Sequence, residues 1–205
     1  RLAVNSAFMV GHSAIRRVVM GERASSEEAT EEELAQMVEL LRQSIREGGL
    51  GFSSSIAQTH NDGEGQPVPS RHASREELVA LAGAIRDLPG TALEFLPGVG
   101  LFTDEQKQLM TDLSLAANRP LNWNLLGSLS PTQIWQQQLT SADRAAARGA
   151  KVVALALPDL MKMRATTLLH QLNGWKQVLE LGPAERRAAV ADPDTRAALS
   201  EAVAE

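Results

Sequence analysis

A histidine follows a glycine at the end of an apolar run in "MVGHSAIRRVVMG", residues 9–21. Three consecutive serines, Ser53, Ser54 and Ser55, close a second apolar run. The stretch "QTHNDGEGQPVPSRH", residues 58–72, carries His60, Asn61, Asp62, Glu64, Arg71 and His72. Glu94, Asn122 and Asn124 stand inside two further apolar runs. These residue types suit the binding of a small polar molecule. Arginine holds a carboxylate, and histidine or aspartate orients it. The serines lack the Gly-x-Ser-x-Gly surroundings of a nucleophile elbow, so they are expected to hydrogen-bond backbone at a strand end. His60 and Asp62 stand two apart and could share a metal, but no third ligand is evident beside them. Asn61-Asp62-Gly63 is also a turn signal in its own right.

Elements that could position these groups alternate along the chain. Strand-like runs are expected at 2–10, 50–56, 91–96, 120–126 and 151–157. Thr30 with Glu33, Ser74 with Glu77 and Thr103 with Gln106 have the spacing of helix capping boxes. Behind Thr30, Leu34, Met37, Val38, Leu41 and Ile45 recur at helical spacing, and behind Ser74 so do Leu78, Leu81, Ala82 and Ile85. Pro131 stands near the expected start of a helix, and Pro158 stops the last strand. The remainder is expected to be helical, with His170 a structural residue and Trp175, Val178 and Leu179 a core face. Pro183 and Pro193 each open an Ala-rich helix.

The expected fold class is therefore α/β, with parallel strands alternating with helices. Periodicity leaves an open sheet and part of a (β/α)8 barrel as alternatives. In both, ligand groups belong at the C-terminal strand ends. No Gly-x-Gly-x-x-Gly follows a strand, which argues against a dinucleotide fold.

Composition narrows the partners. The chain has 205 residues, a net charge of -5 and no cysteine. Disulfides and thiolate metal sites are excluded, and a cytoplasmic location is expected. Aromatics are scarce and no basic face is evident, so neither nucleic acid nor an anionic membrane is an expected partner.

Three stretches resemble one family. "VNSAFMVGHSAIRRVVMG" (residues 4–21), "EELAQMVELLRQSIREGGLGFSSS" (32–55) and "SREELVALA" (74–82) are similar, in order and spacing, to segments of the N-acyl-D-amino-acid deacylases of the amidohydrolase superfamily. The resemblance covers roughly residues 1–150. It implies part of a TIM-type barrel, about its third to seventh strands, over 1–157, with a helical extension or the start of an insertion over 158–205. On this reading the chain, which begins with Arg1, is a central piece of a longer protein.

The resemblance also implies an activity. A divalent metal, zinc or another, would activate water to cleave the amide of an N-acyl amino acid-like substrate. The family's fifth and sixth strands each end with a metal-binding histidine. Here those strands read "ALEFLPG" (92–98) and "LNWNLLG" (121–127), and both histidines are absent. Glu94 is left as a candidate oxygen ligand, and Asn122 and Asn124 are poor zinc ligands. The candidate substrate-binding residues are His12, His60, Asn61, Asp62, Arg71, Asn122 and Asn124. For His12, a role facing the substrate and a role fixing the strand-to-loop turn both stay open. Two readings of the whole follow: a deacylase with an altered metal centre, or a degenerate barrel that binds a ligand without turnover. The piece by itself is expected to lack deacylase activity, to hold no cofactor, and to self-associate through its unpaired strand edges.

Overall fold

The computed structural model describes residues 6–124, 126, 134–156 and 172–204. The chain divides into two compact units, Arg1–His60 with Pro67–Leu160, and Asn61–Gln66 with Met161–Glu205.

The first unit alternates strand and helix. In order it comprises β1 (Val10–Gly11), α1 (His12–Met20), a 3-10 turn (Gly21–Ser25), α2 (Glu31–Arg46), β2 (Gly51–Ser55), a 3-10 turn (Pro69–His72), α3 (Arg75–Gly83), β3 (Ala92–Leu96), α4 (Asp104–Ala117), β4 (Leu121–Trp123), α5 (Ile134–Ala146) and β5 (Val152–Ala154). All strand pairs are parallel, and the spatial order is β1-β2-β3-β4-β5. This order settles the alternative left open by periodicity. A doubly wound sheet reverses its strand order at a switch point, whereas a barrel adds each strand beside the last. Successive helices pack in sequence, α1 on α2, α2 on α3, α3 on α4 and α4 on α5. The fold is part of a TIM-type barrel with a C-terminal helical segment.

Register separates the two faces of the sheet. Phe52, Leu93 and Leu121 align across β2, β3 and β4, and all are buried beneath the helices. So are Phe95 and Trp123, which also align. The opposite face carries Ser53, Glu94, Asn122 and Val153 in one row. These four are half-buried or exposed, as expected of an interior wall that a partial barrel leaves uncovered.

Local chemistry explains most helix starts. Thr30 and Thr103 form complete capping boxes with Glu33 and Gln106. Thr103→Ala is expected to cost about 1 kcal/mol, read as a lower urea midpoint with an unchanged slope. Ser74 departs from expectation. Its hydroxyl accepts from the Glu77 amide at 3.1 Å, but the Glu77 side chain does not return the bond. Its carboxylate turns inward instead.

The first strand also departs from expectation. Of the run 2–10, residues 1–5 lie outside the described residues, and only Val10–Gly11 is strand. Before Gly51 the neighbouring chain is still leaving α2, so Phe8 finds a single bond, from the Leu50 amide at 2.9 Å. At the other edge, among the described residues 151–156 of the expected 151–157 run, β5 takes Val152–Ala154. Pro131, Pro158 and His170 lie outside the described residues.

In the second unit, α6 (Trp175–Leu179), α7 (Pro183–Ala191) and α8 (Pro193–Ala204) follow one another. Both prolines sit at a helix start, where no amide hydrogen is needed. The Trp175 indole donates to the Leu199 carbonyl at 2.9 Å, and Val178 and Leu199 are buried. Asn61–Gln66 forms a tight turn in which Asp62 Oδ1 accepts from the amides of Glu64 at 3.0 Å and Gln66 at 2.8 Å. No described helix is long and apolar enough to cross a membrane.

Candidate functional site

His12 does not end a strand into a loop. It opens α1, directly after the two-residue β1. The buried positions of α1 are His12, Ile15, Arg16 and Met20, which recur with helical spacing. Two of the four are polar, so this face must satisfy charge as well as exclude water. It does so through Glu77 in the first turn of α3. His12 Nε2 lies 2.7 Å from Glu77 Oε1, and the Arg16 guanidinium donates to Glu77 Oε2 at 2.5 Å. Arg16 also donates to the carbonyls of Ala24 at 3.3 Å and Glu27 at 2.5 Å. His12, Arg16 and Glu77 are all at most 2% exposed.

The second ring nitrogen of His12 points at β2. Nδ1 is 2.8 Å from Ser54 Oγ. An ionised carboxylate only accepts, so Nε2 carries the hydrogen toward Glu77 and Nδ1 accepts from the serine hydroxyl. Burial, the largest influence, holds the His12 pKa below its ordinary 6.5, against the opposing pull of Glu77 and with help from the Arg16 charge. For Glu77, burial pushes upward, but hydrogen bonds from His12 and Arg16 outweigh it and the carboxyl lies below its ordinary value. Ser54 was expected to bond backbone; it bonds His12 instead. Ser55 does meet backbone, accepting weakly from the Ala57 amide at 3.3 Å.

A histidine whose folded pKa is depressed stabilises the fold fully above its unfolded value, near 6.5, and loses that contribution as pH falls through the folded value. His60 is depressed as well, by partial burial and then by the Arg71 charge, and adds the same sign. The melting temperature is expected to fall as pH is lowered from about 7 to about 5. A constant or rising melting temperature over that range would contradict the neutral, buried state of His12.

Beside this network a cleft of about 230 Å³ opens at the C-terminal strand ends. Its walls include Ser13 and Ala14 of α1, Ser53 and Ser54 of β2, Glu94 of β3 and Asn124 just beyond β4. His60 and Ser70 line it from the long β2–α3 connection. The connection is stitched to the barrel there: the Ser70 amide donates to Ser13 Oγ at 3.1 Å, and its hydroxyl donates to the Ser55 carbonyl at 2.7 Å. The Asn124 amide donates to Glu94 Oε1.

The structure brings some of the candidate residues together and not others. His12, His60, Asn124 and Glu94 line the cleft. Asn122 stands beside Glu94 in the strand register, on the same uncovered face. Arg71 lies in the 3-10 turn Pro69–His72, close enough for its charge to act on His60. Asn61 and Asp62 belong to the turn of the second unit. Glu77, Arg16, Ser13 and Ser70 were not anticipated.

The divalent metal implied by the resemblance does not fit this donor set. Among the described residues, the side-chain donors on the uncovered face are one carboxylate, already bonded to an amide, with asparagine and serine around it. Among the described residues no three His, Cys, Asp or Glu side chains are placed to hold a metal ion. Zinc takes histidine, cysteine or carboxylate groups, usually three or four together.

Solved structures of D-aminoacylase are similar to this chain. They include a mutant in complex with copper chloride, a study of that enzyme's binuclear metal center, and the structure described as defining a novel subset of amidohydrolases. Each is 24% identical, with a TM-score of 0.55 over 77% of this chain. The chain has the fold of a segment of D-aminoacylase. It spans about a third of those chains, which it covers to 31%. No protein-family model matches the sequence, and no curated protein does.

Proposed function

We propose that this chain is the central part of an amidohydrolase-superfamily barrel, and that its strand-end cleft holds a small N-acyl amino acid-like substrate of a deacylase-type reaction. The observation that carries this reading is the cleft's position. It lies at the C-terminal ends of parallel strands laid down in barrel order, where such folds place their chemistry. Its lining suits the substrate class. The first turn of α1 has no side-chain cap and no acidic residue, so its amide hydrogens can face a carboxylate. Glu94 can accept from an amide N–H, and Ala14 and Leu96 offer apolar contact.

In this reading the residues lining the cleft bind and orient the substrate. A metal, zinc or another divalent ion, would be held by ligands outside the described residues, where the whole protein supplies them. We also propose that the uncovered sheet face and the one-sided edges of β1 and β5 are covered by self-association when the chain is alone. A second reading, a barrel that binds its ligand without turnover, is favoured by the donor set around Glu94.

The test is a screen of N-acyl-D-amino acids against the protein that carries this chain, purified without chelator, with metal content measured on the same sample. Hydrolysis that a chelator abolishes is the expected result. Saturable binding with no metal and no hydrolysis would replace the first reading with the second.

A further inference from the structure

We propose that Ser54, His12 and Glu77 form a nucleophile–base–carboxylate relay through which Ser54 cleaves esters of small carboxylic acids in the strand-end cleft. It shares the cleft with the function proposed above but needs neither its metal nor its amide substrate, so each can fail alone.

The geometry has the parts of such a relay. Ser54 Oγ is 2.8 Å from His12 Nδ1, and His12 Nε2 is 2.7 Å from Glu77 Oε1. These are hydrogen-bond distances between a nucleophile, a base and the group that orients the base. The ring nitrogens are used in the reverse order of the serine proteases, which leaves the logic unchanged. Arg16 fixes the far oxygen of Glu77, and Phe52 packs edge-on against the imidazole with centroids 5.4 Å apart, so the ring is held in one orientation. His12 and Ser54 both line the cleft, as do Ser13 and Ala14 in the first turn of α1. The uncapped amide hydrogens of that turn are suited to receive a developing oxyanion. The imidazole is neutral near neutral pH, the state a base requires.

The step balances without a co-reactant other than water. Ser54 Oγ forms a bond to the ester carbonyl carbon, and the carbonyl π electrons move onto its oxygen. The hydroxyl proton passes to His12 Nδ1, and the Glu77 carboxylate faces the resulting imidazolium. Collapse expels the alcohol oxygen, which takes the proton from Nδ1 and leaves an acyl-serine. Water then adds by the same path, releasing the carboxylic acid and restoring the Ser54 hydroxyl.

Substitution of His12 or Glu77 risks the fold, so the test rests on Ser54. The full 205-residue chain is treated with a fluorophosphonate probe and followed by intact mass and peptide mapping. The expected result is a single adduct at Ser54, formed at least ~100-fold faster than on the urea-denatured chain. The adduct is absent from Ser54→Ala and retained in Ser53→Ala, with both variants folded by circular dichroism. The labelling rate rises with pH and levels off once His12 is neutral. No adduct on the folded chain, an adduct elsewhere, or labelling that survives Ser54→Ala would overturn the proposal. N-acyl amino acid hydrolysis without Ser54 labelling sinks the relay and leaves the deacylase reading standing. Labelling without that hydrolysis does the reverse.

Discussion

Glu77→Ala is expected to cost about 3–5 kcal/mol, a large part of the stability of a domain this size. The reason is what it leaves behind. Arg16 is fully buried, and Glu77 is the only carboxylate bonded to it among the described residues. Without that carboxylate, a guanidinium stays in the core with only carbonyls for partners. His12 loses the acceptor for its Nε2 hydrogen at the same time. Glu77→Gln keeps the shape and one acceptor oxygen, so its cost should be smaller but still clear. The measurement is urea unfolding of both variants beside the parent chain. A loss below about 1 kcal/mol for Glu77→Ala would place it among surface ion pairs and contradict its burial.

Gly51→Ala is expected to be at least as damaging, at the exceptional end of single substitutions, above about 4 kcal/mol. Gly51 has φ +150, which side-chain-bearing residues rarely adopt. A Cβ built there would lie 1.9 Å from the Ala92 carbonyl oxygen and 2.8 Å from the Ala92 nitrogen. Both are backbone atoms of β3, so neither can turn away as a flexible side chain would. Relief requires β2 and β3 to part at the start of their five-residue pairing, which runs from Gly51↔Ala92 to Ser55↔Leu96. The variant is expected in the insoluble fraction, or folded with a much lower melting temperature. Gly83→Ala is the matched control. It lies in α3 with only one atom, the Ala116 carbonyl oxygen at 4.0 Å, near the added methyl, and should be neutral or stabilising by up to about 1 kcal/mol.

Much of the barrel segment was legible in the residues because its signals are local. The Thr30 and Thr103 boxes involve neighbours three apart, and α2 and α3 bury stripes of ordinary apolar residues. The parallel sheet follows from the alternation itself. Strand lengths were less legible, since a strand extends only where a neighbour runs beside it. Of the expected run 120–126, β4 takes Leu121–Trp123, and beyond it the amides of Asn124 and Leu126 still donate to the carbonyls of Phe95 and Leu155 at 2.9 Å.

Helix α1 was hidden for a different reason. Its buried stripe is half polar, with His12 and Arg16 inside while Val18 stands 72% exposed. Hydrophobic periodicity therefore misreads the face. The partner that makes such a stripe stable, Glu77, is 65 residues from His12 and looked like a routine capping residue. Ser54, 42 residues away, looked like one of three equivalent serines. Nothing local distinguishes them; the bonds that tie α1 to Ser54 of β2 and Glu77 of α3 do. The expected ends of the second and third runs lie within a residue of the ends of β2 and β3, Ser55 and Leu96, whereas β4 ends at Trp123, short of the expected Leu126.

The most direct measurement is an amide NMR titration of this chain with an N-acyl-D-amino acid, run with and without added zinc. Binding in the strand-end cleft predicts saturable shifts at Gly11 to Ala14, Ser53 to Ser55 and Asn124, unchanged by zinc. No shifts at those amides, or shifts that appear only when zinc is present, would contradict a metal-free substrate cleft built by these residues.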